Sequence, residues 1–314
     1  MVLVKNLSTF LPLVLSQALM SNAHLSVWMP SMYGLDPTNI NSDNASQPLQ
    51  GYTFEQWWWH GNLDNPPADN ESFALPANGS VDVEISSNKA FTTLGRGFKD
   101  ANPRMAPDPW LNQNGWGNMH APSRADVAGS ALAIAYKSDA ESVLPSDFVV
   151  FSVVHDSPAR QLETFHVPDL PVCPNDRCMC SWFWIHKSIG GTDQMYMVPF
   201  VCHVTNATNT TPLGKPVAPV NCEGDKSKCV QGAKSPMYWM NLEGNNMFEP
   251  GHYAPTYNTG YGYFEGAQTD IWIDGHNATS TTGTSANVAA ATKAVSKGVR
   301  HGGVHRRRGW FGGN

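Results

Sequence analysis

The sequence has no apolar run long enough to cross a bilayer. The stretch from Phe10 to Met20 spans only eleven residues, against roughly 20 for a spanning helix. The C-terminus lacks the apolar tail that a glycolipid-anchor signal requires, so no anchor is expected. Basic residues are scarce where a nucleic-acid surface would need them. With Lys5 and the six Lys and Arg beyond residue 292 set aside, 13 of the 20 basic side chains face all 26 acidic ones, a net of −13 over residues 24–292. Such a body repels phosphate backbones and suits a neutral substrate, which excludes nucleic acid as a partner. Long helical periodicity is also scarce, and no internal repeat is visible.

What is present begins with a leader. Lys5, the apolar run and the small residues Ser21 and Ala23 form the pattern read by a signal peptidase, so residues 1–23 are expected to be removed and His24 to become the first residue. The predicted secreted chain of 291 residues is long enough for a large core. Six cysteines behind such a leader imply disulfides rather than thiols. Six Asn-x-Ser/Thr sequons in the predicted secreted chain, at Asn44, Asn70, Asn78, Asn206, Asn209 and Asn277, fit a eukaryotic secretory route and an extracellular, glycosylated monomer.

Short β patterns dominate the rest. Residues 25–28 alternate as an edge strand, and Val81–Ile85 shows period two. Residues 131–136, 148–154, 181–185 and 194–202 are apolar runs set off by Gly and Pro turns. Residues 95–119 form a long Gly-, Pro-, Asn- and Trp-rich loop, of the kind that often carries function. From residue 278 the chain is rich in Ser, Thr, Ala and Gly, lacks acidic residues and ends in a basic patch, as expected of a disordered tail. The pattern predicts an all-β fold: an antiparallel, immunoglobulin- or fibronectin-like β-sandwich with long loops over 24–277. Trp57-Trp58-Trp59 reads as packing, or alternatively as a platform for sugar rings.

A processed His24 offers two nitrogens to one metal ion, its α-amine and its imidazole Nδ1. A histidine from another loop would complete a three-nitrogen T-shaped set, which favours copper among divalent first-row ions. His120, at the end of the long loop before the 131–136 strand, is the first candidate. His60, His155 and His166 follow, with His186, His203, His252 and His276 less well placed, and His155 or His166 could instead support the site from behind.

These residues resemble a known family. His24-Leu-Ser-Val-Trp-Met-Pro-Ser-Met-Tyr-Gly34, Trp57–Trp59, Cys173-x4-Cys178-x-Cys180, Gln194-x-Tyr196, Cys222-x6-Cys229 and Leu242-Glu-Gly-Asn-Asn246 are similar to auxiliary activity family 14, the fungal copper-dependent lytic polysaccharide monooxygenases. The resemblance spans roughly residues 24–277. It implies one copper ion held by His24 and His120, with Tyr196 axial and Gln194 on the same strand face hydrogen-bonding the oxygen species. It also implies disulfides Cys173–Cys178, Cys180–Cys202 and Cys222–Cys229. The implied reaction takes an external electron donor and dioxygen or hydrogen peroxide, and hydroxylates a C–H bond beside a glycosidic link. Xylan associated with cellulose is the implied substrate. A non-catalytic secreted copper carrier would use the same ligands without oxidising sugars. A carbohydrate-binding module would use the aromatic residues alone. The basic tail reads as a solvated extension, or as a tether to acidic wall polymers.

Overall fold

The computed structural model describes residues 24–40, 42, 44–97, 127–187 and 193–276. The predicted leader and tail, together with His120 and Asn277, lie outside the described residues. Nine strands form in chain order: β1 (Ser26–Trp28), β2 (Phe73–Pro76), β3 (Ser80–Ser86), β4 (Ser130–Ala135), β5 (Val149–Val154), β6 (Leu162–His166), β7 (Cys178–Ile185), β8 (Met195–Thr205) and β9 (Gly266–Ala267). Among the described residues the single α-helical turn, α1 (Phe54–Trp57), is opened by Thr53, whose N–H donates to Gln56 Oε1 at 2.9 Å.

Two sheets make the sandwich. The smaller runs β1-β3-β6 and the larger β2-β8-β7-β4-β5-β9. Every pairing is antiparallel except β2 with β8, a parallel edge pair from Phe73↔Cys202 to Pro76↔Thr205. The expected sandwich is therefore present, with one parallel pairing that period two could not have revealed.

Between the sheets lies one core. Val27, Val81, Val83, Ile85 and Phe165 of the smaller sheet meet Leu132, Ile134, Phe151, Trp182, Trp184, Tyr196, Val198 and Phe200 of the larger. A second apolar cluster covers the other face of the larger sheet. There Ala131, Ala133, Val150, Val153, Phe183, Met195, Met197 and Val201 pack under Trp57–Trp59, Tyr238, Trp239, Tyr257 and Tyr263. A sheet covered on both faces has no solvent side, so β4, β5 and β7 read as unbroken apolar runs rather than alternating ones.

Trp57, Trp58 and Trp59 are all buried, so the packing reading of this run holds. Trp59 and His60 both adopt left-handed backbone, at φ 57° and 55°. Neither helix nor strand would turn three successive indoles to one side, and this kink does. Tyr33 meets Trp59 edge-on at 5.6 Å, and Phe54 stacks on Trp58 at 5.6 Å.

The three disulfides Cys173–Cys178, Cys180–Cys202 and Cys222–Cys229 are formed, the second fastening β7 to β8.

His60 is carried by the same kink, its Nδ1 3.3 Å from the Met197 carbonyl. Burial holds this imidazole below its ordinary range, against the opposing pull of the Met197 bond. The folded ring resists a proton that the unfolded ring takes up near pH ~6.5, so stability should fall as pH drops below about 6.5. Urea midpoints at pH ~7.5 and ~5.5 should show that loss, and His60→Asn, which tolerates the left-handed backbone, should shrink it. An unchanged difference between the two pH values in H60N would refute this assignment.

Candidate metal centre

Tyr196 is the second residue of β8, and its ring points into the core between the sheets, 1% exposed. Directly across the β7–β8 ladder stands Trp184, and the two rings stack at 4.5 Å with an interplanar angle of 25°. The Tyr196 hydroxyl donates to Gln194 Oε1 at 3.2 Å, so both side chains occupy one face of the strand, as period two requires. Burial pushes the phenol well above its ordinary range, keeping it protonated and neutral at any physiological pH. A neutral phenol is a weak oxygen donor.

His186 follows β7 and continues the Ile185↔Met195 register towards Gln194. It is 2% exposed, its ring is 5.9 Å from Trp184, and its Nδ1 lies 2.9 Å from the Lys187 carbonyl. Burial is the main cause that lowers its basicity. The Lys187 bond, a hydrogen bond with the Gln194 side chain and the Asp193 carboxylate oppose that shift, and the charge of His24 adds to it. Gln194 thus lies beside both Tyr196 and His186, and His24 is within electrostatic reach of His186.

The sequence supplies the reason for this meeting. His24 is half-buried and precedes Leu25, which is fully buried. β1 is fixed on β3 through Ser26↔Ser86, with the Trp28 indole N–H donating to the Ser86 carbonyl at 2.8 Å. The chain after β1 then runs along β8: Val201 N–H donates to the Ser31 carbonyl, and Tyr33 N–H to the Pro199 carbonyl, each at 2.9 Å. Leu49 exchanges backbone hydrogen bonds with Met195, beside Tyr196.

Gln194 and Tyr196 thus lie at one end of the larger sheet, and His24 is within electrostatic reach of His186 there. His120 lies outside the described residues. The strand after it, β4, starts at Ser130, which pairs with Trp184 at that same end. Among the described residues no three His, Cys, Asp or Glu side chains converge as a metal cage.

Four other histidines engage partners away from this cluster. His155 lies 3.2 Å from the Glu265 carboxylate, with Nε2 3.1 Å from the Tyr263 carbonyl. His166 and His203 are each 2.8 Å from a serine hydroxyl, on Ser80 and Ser72. His276 lies 3.1 Å from the Asp274 carbonyl. The histidine placed beside Gln194 and Tyr196 is His186, a residue the sequence reading counted among the less well placed candidates. Its signal was the alternation Trp182, Trp184, His186 on the inner face of β7, which resembles ordinary core.

The donor set fits copper. It offers an imidazole, a neutral buried phenol and, in a chain beginning at His24, an amine, all borderline or hard donors that divalent copper takes in tetragonal geometry.

Comparison with known proteins agrees with this chemistry. The family model for lytic polysaccharide monooxygenase AA14 matches residues 6–305. AA14 family lytic polysaccharide monooxygenase A of Trametes coccinea is 40% identical over 285 residues, covering 87% of this chain and 67% of that one. The B protein of the same fungus is 36% identical over 282 residues, covering 86% and 66%. The B protein of Pycnoporus cinnabarinus is 36% identical over 283 residues, covering 86% and 74%. The matched part spans about two thirds of the length of the two Trametes coccinea relatives.

Proposed function

This chain belongs to the AA14 family of lytic polysaccharide monooxygenases, and from that membership we propose that it is a secreted copper enzyme that oxidatively cleaves polysaccharide, xylan laid on cellulose being its substrate. The single observation that supports this most is the buried Tyr196 phenol hydrogen-bonded to Gln194 on one strand face, with His24 within electrostatic reach of the neighbouring His186. His24, His120 and Tyr196 would hold the copper. When bound, copper supplies one-electron exchange with an external donor and the activation of dioxygen or hydrogen peroxide that hydroxylates a C–H bond beside a glycosidic link.

The protein's own part is positioning. Trp184 fixes the Tyr196 ring by stacking, and Gln194 accepts the phenol proton's hydrogen bond, so the hydroxyl cannot rotate freely. His186 is buried beside Gln194. Outer partners of this kind commonly govern metal affinity or activity by about 10–100-fold.

The sugar platform is not the Trp57–Trp59 run, which is buried. Exposed apolar side chains instead come from Tyr52, Leu242, Phe248 and Tyr253. Leu242 N–H donates to the Tyr52 carbonyl at 2.9 Å, which joins two of them. Gly251, at the start of the turn that carries Tyr253, packs so closely on the Asp193 carboxylate that any side chain there would collide with it. Tyr253 is thereby tied to the residue next to Gln194. The net-negative body offers a neutral polymer no electrostatic obstacle.

Copper-loaded protein starting at His24, incubated with xylan-coated cellulose, a reductant and limiting peroxide, should release oxidised oligosaccharides detectable by mass spectrometry. Tyr196→Phe should keep the stack on Trp184 but lower product yield by about tenfold or more. Tight copper binding without oxidised sugars would instead identify a copper carrier. Products from cellulose but not xylan would overturn the substrate assignment alone.

A further inference from the structure

A groove of about 510 Å³ lies away from the copper ligands, on the side where β3 and β6 pair. Its walls include Asn78, His166, Asp169, Asn209, Thr269 and Trp272. That volume falls in the range of sites that take small ligands. An indole beside a ring of amide, imidazole, carboxylate and hydroxyl groups is the lining that a sugar needs, apolar for the ring face and polar for its hydroxyls.

Two of the six sequons open into this groove, and they differ. Asn209 is half-buried with both amide atoms engaged: its Nδ2 donates to the Asp169 carbonyl at 3.0 Å and its Oδ1 accepts from Thr211 N–H at 2.8 Å. Asn78 is exposed, at φ 57° in the turn between β2 and β3. The turn is pinned to the opposite wall, with Asn78 N–H donating to the Pro168 carbonyl at 3.2 Å and Val167 N–H to the Gly79 carbonyl at 2.9 Å. The sequon's own Ser80 hydroxyl lies 2.8 Å from His166 Nδ1 in the groove wall. A glycan on Asn78 therefore starts at the rim of a ready cavity.

We propose that this groove seats the inner N-acetylglucosamine of a glycan N-linked to Asn78, with its apolar face on Trp272 and its polar groups towards His166, Asp169 and Asn209. The inference rests on the secretory reading. Attachment joins Asn78 Nδ2 to the anomeric carbon of a lipid pyrophosphate-linked oligosaccharide. The amide gives up one proton and the lipid pyrophosphate departs. The seated sugar then ties the β2–β3 turn to the 269–272 segment, a connection that the protein chain alone does not make through this cavity.

The experiment uses full-length protein secreted from a fungal host. Glycopeptide mass spectrometry should find Asn78 occupied. Peptide-N-glycosidase applied to the folded protein should release this glycan at least about tenfold more slowly than the one on exposed Asn70, the factor that 1.4 kcal/mol of seating provides. Unfolding should abolish the difference, and so should Trp272→Ala. Because Trp272 also packs on the main core, exposed His166→Ala serves as a second variant that leaves the core alone, and it should narrow the difference. Equal release rates in the folded protein, or a glycan on Asn209 in place of Asn78, would overturn the proposal while leaving the secretory reading intact. Absence of glycan from every sequon would remove the secretory reading and the proposal together.

Discussion

One extra residue left ahead of His24 is expected to cut copper affinity by about 100-fold or more. An added residue converts the α-amine into an amide, whose nitrogen carries no available lone pair, and the chelate ring with Nδ1 cannot close. Loss of a direct ligand should exceed the roughly 10–100-fold that loss of an outer partner costs. His24→Ala removes the imidazole but keeps the amine, so it should lose affinity by a comparable factor through the other half of the chelate. Competition titration against a copper chelator measures both. The amine must also shed a proton, with a reference pKa of about 7.7–8.0, so affinity for the processed chain should weaken as pH falls. The extended chain, having no amine at that position, should lose this part of the pH dependence. Equal affinities for extended and processed chains would place the metal elsewhere.

Asp270→Ala is expected to destabilise the fold strongly, by about 3–5 kcal/mol. Lys234 is 2% exposed, and its ammonium lies 2.7 Å from Asp270 Oδ2 and 3.0 Å from the Gly232 carbonyl. The rings of Tyr263 and Phe264 stand 5.9 and 5.8 Å from the same nitrogen. Removing the carboxylate leaves a buried cation with only a carbonyl and two aromatic faces, which do not replace its hydration. The pair itself contributes little net stability, because both charges were desolvated to form it. The double replacement Lys234→Met with Asp270→Leu should therefore recover most of the loss. Calorimetry would read roughly 2–4 °C of Tm per kcal/mol for a domain of this size. If D270A alone melted like the unaltered protein, the pair would be solvated and dispensable.

The strands were legible where burial produced long apolar runs. Residues 148–154, 181–185 and 194–202 reappear as β5, β7 and β8 with small shifts at their ends. The face assignment of Gln194 and Tyr196 was also legible, since a period of two fixes it without tertiary information. The parallel β2–β8 pair was not, because a strand's own sequence does not encode its partner's direction. His186 was hidden for a different reason. A histidine following Trp182 and Trp184 on a buried face looks like filler until the register sets it opposite Gln194. The Trp57–Trp59 run could have lain on a surface or in a core, and only the left-handed turn at Trp59 and His60 decides for the core.

The double cover over the larger sheet has a consequence for how the site opens. β7 is flanked by β4 and β8 and capped by apolar clusters on both faces, so its amides belong to the part of the protein that exchanges with solvent only on global unfolding. Trp184 and Tyr196 share that immobility. For copper held as proposed, strand fraying would offer no exit route, and release would go by displacement of the segment at His24 from a back wall that does not yield.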